Sequence, residues 1–131
     1  MNGVRAVILD LDGTLLCSND AHAQAFLEAG REMGLNLDFD AIRVLIGQGG
    51  DKLIPEAFGF SSESEPGQRL SKRKEEIFMT RYLETLVSTP GARRLLLRLR
   101  EEGIRRVLAT SSDESSMNRL LRQAGVEDLI E

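Results

Sequence analysis

The feature that most limits how this chain can fold lies near its start. Val4-Arg5-Ala6-Val7-Ile8-Leu9 is a short apolar run, rich in β-branched residues, that stops at Asp10-Leu11-Asp12-Gly13-Thr14. A nearly continuous apolar run closed by a glycine turn predicts a strand over 4–9 buried on both faces, as in a parallel sheet. A second such run, Ile104-Arg105-Arg106-Val107-Leu108-Ala109, stops at Thr110-Ser111-Ser112-Asp113 and predicts a strand over 104–109. It follows Ser88-Thr89-Pro90-Gly91 and a predicted helix over 92–102, with Leu95, Leu96 and Leu99 inward and Gly103 as its stop. Strand, helix and strand make a parallel unit whose carboxyl ends share one edge, where open α/β sheets bind ligands. Asp10, Asp12 and Thr110 all fall at that edge.

Between the two strands the pattern is helical throughout. Apolar residues at helical spacing predict a helix over 19–33, with Asn19 or Asp20 as N-cap and Gly34 as the stop. Short helices are predicted over 38–46 and 53–58, separated by Gly47-Gln48-Gly49-Gly50-Asp51-Lys52. After a polar loop over 61–67 comes an amphipathic helix over 71–86, with Ile77, Phe78, Tyr82, Leu83 and Leu86 as its stripe. Beyond the second strand a helix over 114–124 is capped by Ser112 or Asp113, and 128–130 approaches a further element. The fold class is therefore α/β: a partial Rossmann-like parallel sheet over 1–17 and 89–131, with an all-helical insert over 18–88.

At 131 residues the chain has room for one core. Its 41% hydrophobic and 29% charged content excludes a disordered tail, a collagen-like rod and a coiled coil. A formal charge of −4 provides no field for nucleic acid, and Arg93, Arg94, Arg98 and Arg100 interleave with leucines as a solvated helix face would. No apolar run reaches the ~18 residues a membrane span needs. The single cysteine, Cys17, cannot form an internal disulfide, which fits a reducing compartment. With no secretory pattern at the start, a cytoplasmic location is the expectation.

Two carboxylates as close as Asp10 and Asp12 repel, and one pKa rises unless a cation neutralises them. A hard, oxygen-seeking ion such as Mg²⁺ is the natural partner, leaving one carboxylate as nucleophile and the other for proton transfer. Taken alone, Asp-x-Asp is a common pattern and favours a mere loop cap. The full string Val7-Ile8-Leu9-Asp10-Leu11-Asp12-Gly13-Thr14-Leu15 after an apolar strand resembles the first motif of the haloacid dehalogenase superfamily, mostly phosphatases and phosphomutases. The resemblance implies that Asp10 attacks phosphorus to form an aspartyl phosphate. It implies that Asp12 protonates the leaving oxygen and then activates water. Mg²⁺ would be held by the Asp10 carboxylate and the Asp12 carbonyl. The dehalogenases lack the second aspartate, so Asp12 argues for phosphoryl transfer.

A Thr-Ser-Ser sequence before a helix is most often a cap, though its hydroxyl and N–H groups also make an anion site. Leu108-Ala109-Thr110-Ser111-Ser112 resembles the superfamily's second motif, which implies that Thr110, and more weakly Ser111, binds the phosphoryl group. The insert has the size and position of the helical cap that covers the site and reads the leaving group. Its glycine loop resembles the specificity loop of phosphoglycolate phosphatase-like and β-phosphoglucomutase-like enzymes. Lys52 can meet an anionic substrate or simply be solvated. His22 matches a histidine often found near the cap hinge, and Cys17 stands where the family often has an aspartate.

The family also needs a lysine beside the nucleophile and a later acidic motif. The lysines here are Lys52, Lys72 and Lys74, all in the insert. The expectation is an incomplete core, a fragment or a chain completed by another, whose first strand has an open edge available to self-association or a partner. The expected function is Mg²⁺-dependent hydrolysis of a small phosphorylated metabolite, weak or absent in this chain alone. A phosphomutase and a non-catalytic interaction module are the alternatives.

Overall fold

The computed structural model describes residues 3–131, which form two compact units. One contains the residues up to Ser18 together with Leu86–Glu131, and the other is Asn19–Thr85. An α/β architecture with a small parallel sheet results.

In the first unit, β1 (Ala6–Leu9) pairs in parallel with β2 (Arg105–Leu108), Ala6 opposite Arg105 and Leu9 opposite Leu108. Both strands are shorter than their apolar runs. The helix between them, α5 (Ala92–Glu101), buries Ala92, Leu96 and Leu99. Leu95, expected inward, is 49% exposed, because it stands about 100° round the helix from Leu96. After β2, α6 (Glu114–Ala124) buries Leu120, Leu121 and Ala124, and a 3₁₀ turn over Glu127–Leu129 follows.

The expectation of a first strand buried on both faces does not hold. Leu9 is buried and Ile8 is 73% exposed, because the two-stranded sheet has a helix-covered side and no described element over the other. Within the second strand's run, Arg106 is a charged residue taken into the core. It is buried, with Nε donating to Leu129 O and Nη1 to Ile104 O, both at 2.8 Å, and Nη2 3.2 Å from Glu131 Oε1. Glu131 N in turn donates to Arg106 O at 2.9 Å. Neighbouring residues of a strand bond to opposite sides, so the chain returns along the edge of β2 away from β1.

The second unit holds α1 (Asn19–Glu32), α2 (Phe39–Arg43), α3 (Gly50–Phe58) and α4 (Glu65–Ile77). A π turn over Phe78–Tyr82 and a 3₁₀ turn over Leu83–Thr85 close it. Helix α1 buries Ala23, Phe26 and Leu27, while α4 and the turn after it bury Leu70, Ile77 and Phe78. The helix predicted over 71–86 is displaced at both ends. It starts earlier because Ser64 caps it, its Oγ accepting from Gly67 N at 3.2 Å, with Pro66 in the first turn. It loosens after Ile77, where the Thr80 hydroxyl donates to Glu76 O at 2.6 Å and the regular ladder gives way to the π turn. The helix expected over 38–46 is cut to the five residues of α2.

Candidate active site

Asp10 is the first residue after β1, and its carboxylate is exposed. Asp12 is half-buried in the turn that follows, so neither aspartate lies in a strand. The turn is tight. Gly13, at φ 76°, donates its N–H to Leu16 O at 2.9 Å, and Leu15 N donates to Leu11 O at 2.9 Å. Only glycine adopts that φ without strain, and the buried Leu11, Leu15 and Leu16 pin the turn to the core. The first motif's alternation of leucine and aspartate thus has two jobs: the leucines anchor while the aspartates are presented. Asp12 Oδ1 accepts a 2.6 Å hydrogen bond from Ser18 Oγ.

Thr110 follows β2 and is half-buried, with Ser111 exposed beside it. Thr110 Oγ1 accepts from Ser112 N at 3.2 Å, which orients the hydroxyl at the start of the turn into α6. Asp113 is the cap of that helix: Oδ1 accepts from Ser116 N at 2.9 Å and Oδ2 from Ser116 Oγ at 3.0 Å. These bonds, the backbone one foremost, lower the Asp113 pKa, and they mark it as structural. Ala109 N donates to Leu9 O at 2.8 Å, so the two strand ends are joined immediately before Asp10 and Thr110. Asp10, Asp12, Thr110 and Ser111 are thereby gathered at one end of the sheet.

His22 and Lys52 belong to the helical unit. Lys52 is exposed in the first turn of α3. His22 is half-buried on α1, its ring stacked on Phe78 at 4.0 Å and its Nδ1 2.8 Å from Lys74 Nζ. Lys74 also lies over the Phe26 and Phe78 rings at 5.0 and 5.2 Å. Its part in this cluster was not legible, because nothing in its local pattern distinguishes it from Lys72. Ser18 was missed as well, although a small polar residue between the first motif and a helix N-terminus is a recognisable signal.

As a donor set, two aspartates suit a hard cation in type. They fall short in number: among the described residues no cluster of three or more His, Cys, Asp or Glu side chains could hold a metal ion. The Asp10 carboxylate and the Asp12 carbonyl would be partial ligands, with water completing such a shell.

Residues 4–131 match the sequence pattern of the haloacid dehalogenase-like hydrolases. The chain belongs to this family. The chain is 34% identical over 130 residues to a phosphoglycolate phosphatase of Nitrosospira multiformis, covering 95% of this chain and 57% of that protein. A hydrolase from Pseudomonas syringae superposes with a TM-score of 0.82 at 27% identity, covering 97% of this chain and 59% of that one. CbbY from Rhodobacter sphaeroides, solved in complex with phosphate, has the same fold with a TM-score of 0.75 at 23% identity, covering 97% and 61%. This haloacid dehalogenase-like chain spans little more than half the length of the curated phosphatase it matches.

Proposed function

We propose that this chain carries the nucleophile and phosphoryl-binding elements of a phosphate monoester hydrolase acting on a small phosphorylated metabolite. The observation that carries the reading is the Ala109–Leu9 hydrogen bond, which brings the ends of both motif-bearing strands together. An Asp10 oxygen attacks phosphorus and forms an aspartyl phosphate as the ester oxygen departs. Asp12, protonated, gives its proton to that oxygen. It then takes one from the water that attacks the aspartyl phosphate, which releases inorganic phosphate and restores Asp10. Thr110 Oγ1 and the N–H groups at the turn before α6 bind the phosphoryl oxygens. The Asp10 carboxylate and the Asp12 carbonyl would hold a divalent cation, for which Mg²⁺ is our reading, and when bound it would offset the charge of phosphate and nucleophile. The helical unit is read as the cap, with Lys52 and His22 as its candidate contacts to an anionic substrate.

With no group of three or more His, Cys, Asp or Glu side chains placed to hold a metal ion among the described residues, slow turnover is expected of this chain by itself. The test is hydrolysis of p-nitrophenyl phosphate with Mg²⁺ by the wild type and Asp10→Asn. Loss of a measurable rate on substitution supports the reading, and equal rates sink it. Transfer of phosphate to a sugar phosphate in place of release would shift the reading to a phosphomutase.

A further inference from the structure

The helical unit has a cleft of about 450 Å³ where the end of α1 meets α4, lined by Ala29, Glu32, Met33, Arg69 and Arg73. That volume falls within the ~300–1,000 Å³ of small-molecule sites. Helical spacing builds it. Ala29, Glu32 and Met33 stand at i, i+3 and i+4, and Arg69 and Arg73 at i and i+4, so each set shares one face of its helix. Ala29 is fully buried and brings only a methyl group to the space between them.

The two arginines differ in what they have left to offer. Arg73 is committed to carboxylates: Nε and Nη2 donate to Glu32 at 2.6 and 2.9 Å, and Nη1 to Glu76 at 3.2 Å. The bond from Arg73 holds the Glu32 carboxyl below its ordinary range, so it stays ionised. Arg69 has only a loose contact, Nη1 3.5 Å from Glu65 Oε1, between side chains 61% and 76% exposed. An exposed pair one helical turn apart contributes little, so Glu65 yields to an anion that meets the guanidinium in a bidentate geometry.

Two guanidiniums against one carboxylate leave the lining with one net positive charge. A monoanion balances that charge, whereas a phosphate dianion exceeds it and stands against Glu32. Ala29 and half-buried Met33 supply the apolar surface for a short hydrocarbon or aromatic body.

We infer that the cleft between α1 and α4 binds a small monocarboxylate, its carboxylate paired with Arg69 and its apolar body packed on Ala29 and Met33. By the rise of the helix, His22 lies about 15 Å along α1 from Glu32, so the site does not include that candidate substrate contact. It stands whether or not the hydrolase reading does.

The test is a titration of the isotopically labelled chain with benzoate, read from the amide signals over 29–33 and 69–73 and the Arg69 side-chain Nε–H. Saturable shifts are expected there, with a Kd of about 1–10 mM for an anion of this size. Arg69→Gln should weaken binding about tenfold, because the charge-assisted pair is lost. Glu65→Gln should tighten it about twofold, because the competing carboxylate is gone. Both residues are exposed, so neither substitution threatens the fold. Lys72→Gln, which removes an exposed cation of the same helix outside the lining, should leave the affinity unchanged. Benzyl alcohol keeps the ring without the charge and should not move these signals. Benzoate shifts confined to other residues, or an affinity unaffected by Arg69→Gln, overturn the inference. Inorganic phosphate moving the same signals as strongly as benzoate overturns the assignment to a carboxylate.

Discussion

The amide of Ala109 donates to the carbonyl of Leu9 at 2.8 Å, the last rung joining two strands that lie about a hundred residues apart in the chain. The next residue on one side is Asp10 and on the other Thr110. A carboxylate and a hydroxyl at a helix-forming turn are brought to one edge by strand pairing, with no sequence proximity required. If this edge performs phosphoryl transfer, Asp10→Asn lowers the rate by roughly a thousandfold or more, because the attacking group itself is lost. Thr110→Ala costs about ten- to a hundredfold, largely recovered in Thr110→Ser, because a single phosphate contact is removed. Steady-state kinetics on p-nitrophenyl phosphate measure both.

Gly67 tests the packing of the helical unit. A methyl group there would overlap the Ser61 carbonyl oxygen and stand 2.8 Å from Ser62 Cα, backbone that cannot swing aside. Gly67→Ala is expected to destabilise by about 2–4 kcal/mol, read from the midpoint of denaturant unfolding. A loss below about 0.5 kcal/mol would contradict the close approach.

Asp128 links α5 to the 3₁₀ turn near Glu131. Arg93 Nη1 and Nη2 bond to its two oxygens at 2.8 and 2.9 Å, and Nη1 also reaches Gly125 O at 2.7 Å. The guanidinium bond holds the Asp128 carboxyl at about 2, below its ordinary 3.8. A depressed folded pKa means stabilisation that is present above the unfolded value and lost as pH falls toward the folded one. Stability should therefore decline between about pH 4 and pH 2, less steeply in Asp128→Asn. Thermal unfolding across that window checks the sign. The pair is exposed, so the effect is small and salt weakens it.

Tyr82 is the only tyrosine, and the chain has no tryptophan, so its titration can be followed without interference by tyrosinate absorbance. Burial, and then the hydrogen bond its hydroxyl donates to Glu28, push it up to about 12 from 10.0. The folded state holds this proton more tightly than the unfolded state, so the associated stability is intact below pH 10 and is lost as pH rises toward 12. Glu28→Gln should lower the midpoint without returning it fully, since burial is the larger cause. A wild-type midpoint at 10 would contradict the packing of the π turn.

Among the described residues, Ile8 stands 73% exposed on a strand paired along one side. Strands of this kind associate through their open edge or face. Concentration-dependent association is expected in analytical ultracentrifugation, and Ile8→Lys should reduce it. A wild-type monomer in which the amides over 6–9 are strongly protected from hydrogen exchange would contradict an open edge.

The helices were legible where caps and apolar spacing agreed. Helix α6 runs from the Asp113 cap to the Gly125 stop, and α1 ends within a residue of its expected bound. The start of α4 was missed despite the Ser64-Glu65-Pro66-Gly67 signal, because a run of polar residues reads equally as loop until Gly67 is seen packed on the 61–62 backbone. Its end was not legible at all. Thr80 and Tyr82 look like ordinary helical positions until their hydroxyls find Glu76 O and Glu28.

For the candidate site, the sequence alone determined that Asp10 and Thr110 stand at strand ends, and the family to which the chain belongs. Those follow from local composition, because an apolar run closed by Asp-x-Asp-Gly-Thr specifies its own strand and turn. Tertiary structure decided which neighbours those residues have. Ser18 beside Asp12, Lys74 beside His22 and the burial of Arg106 under Leu129 are products of long-range packing. The exposure of Ile8 has the same origin. Periodicity reports that a side chain is apolar, and only the elements stacked against it determine whether it is covered.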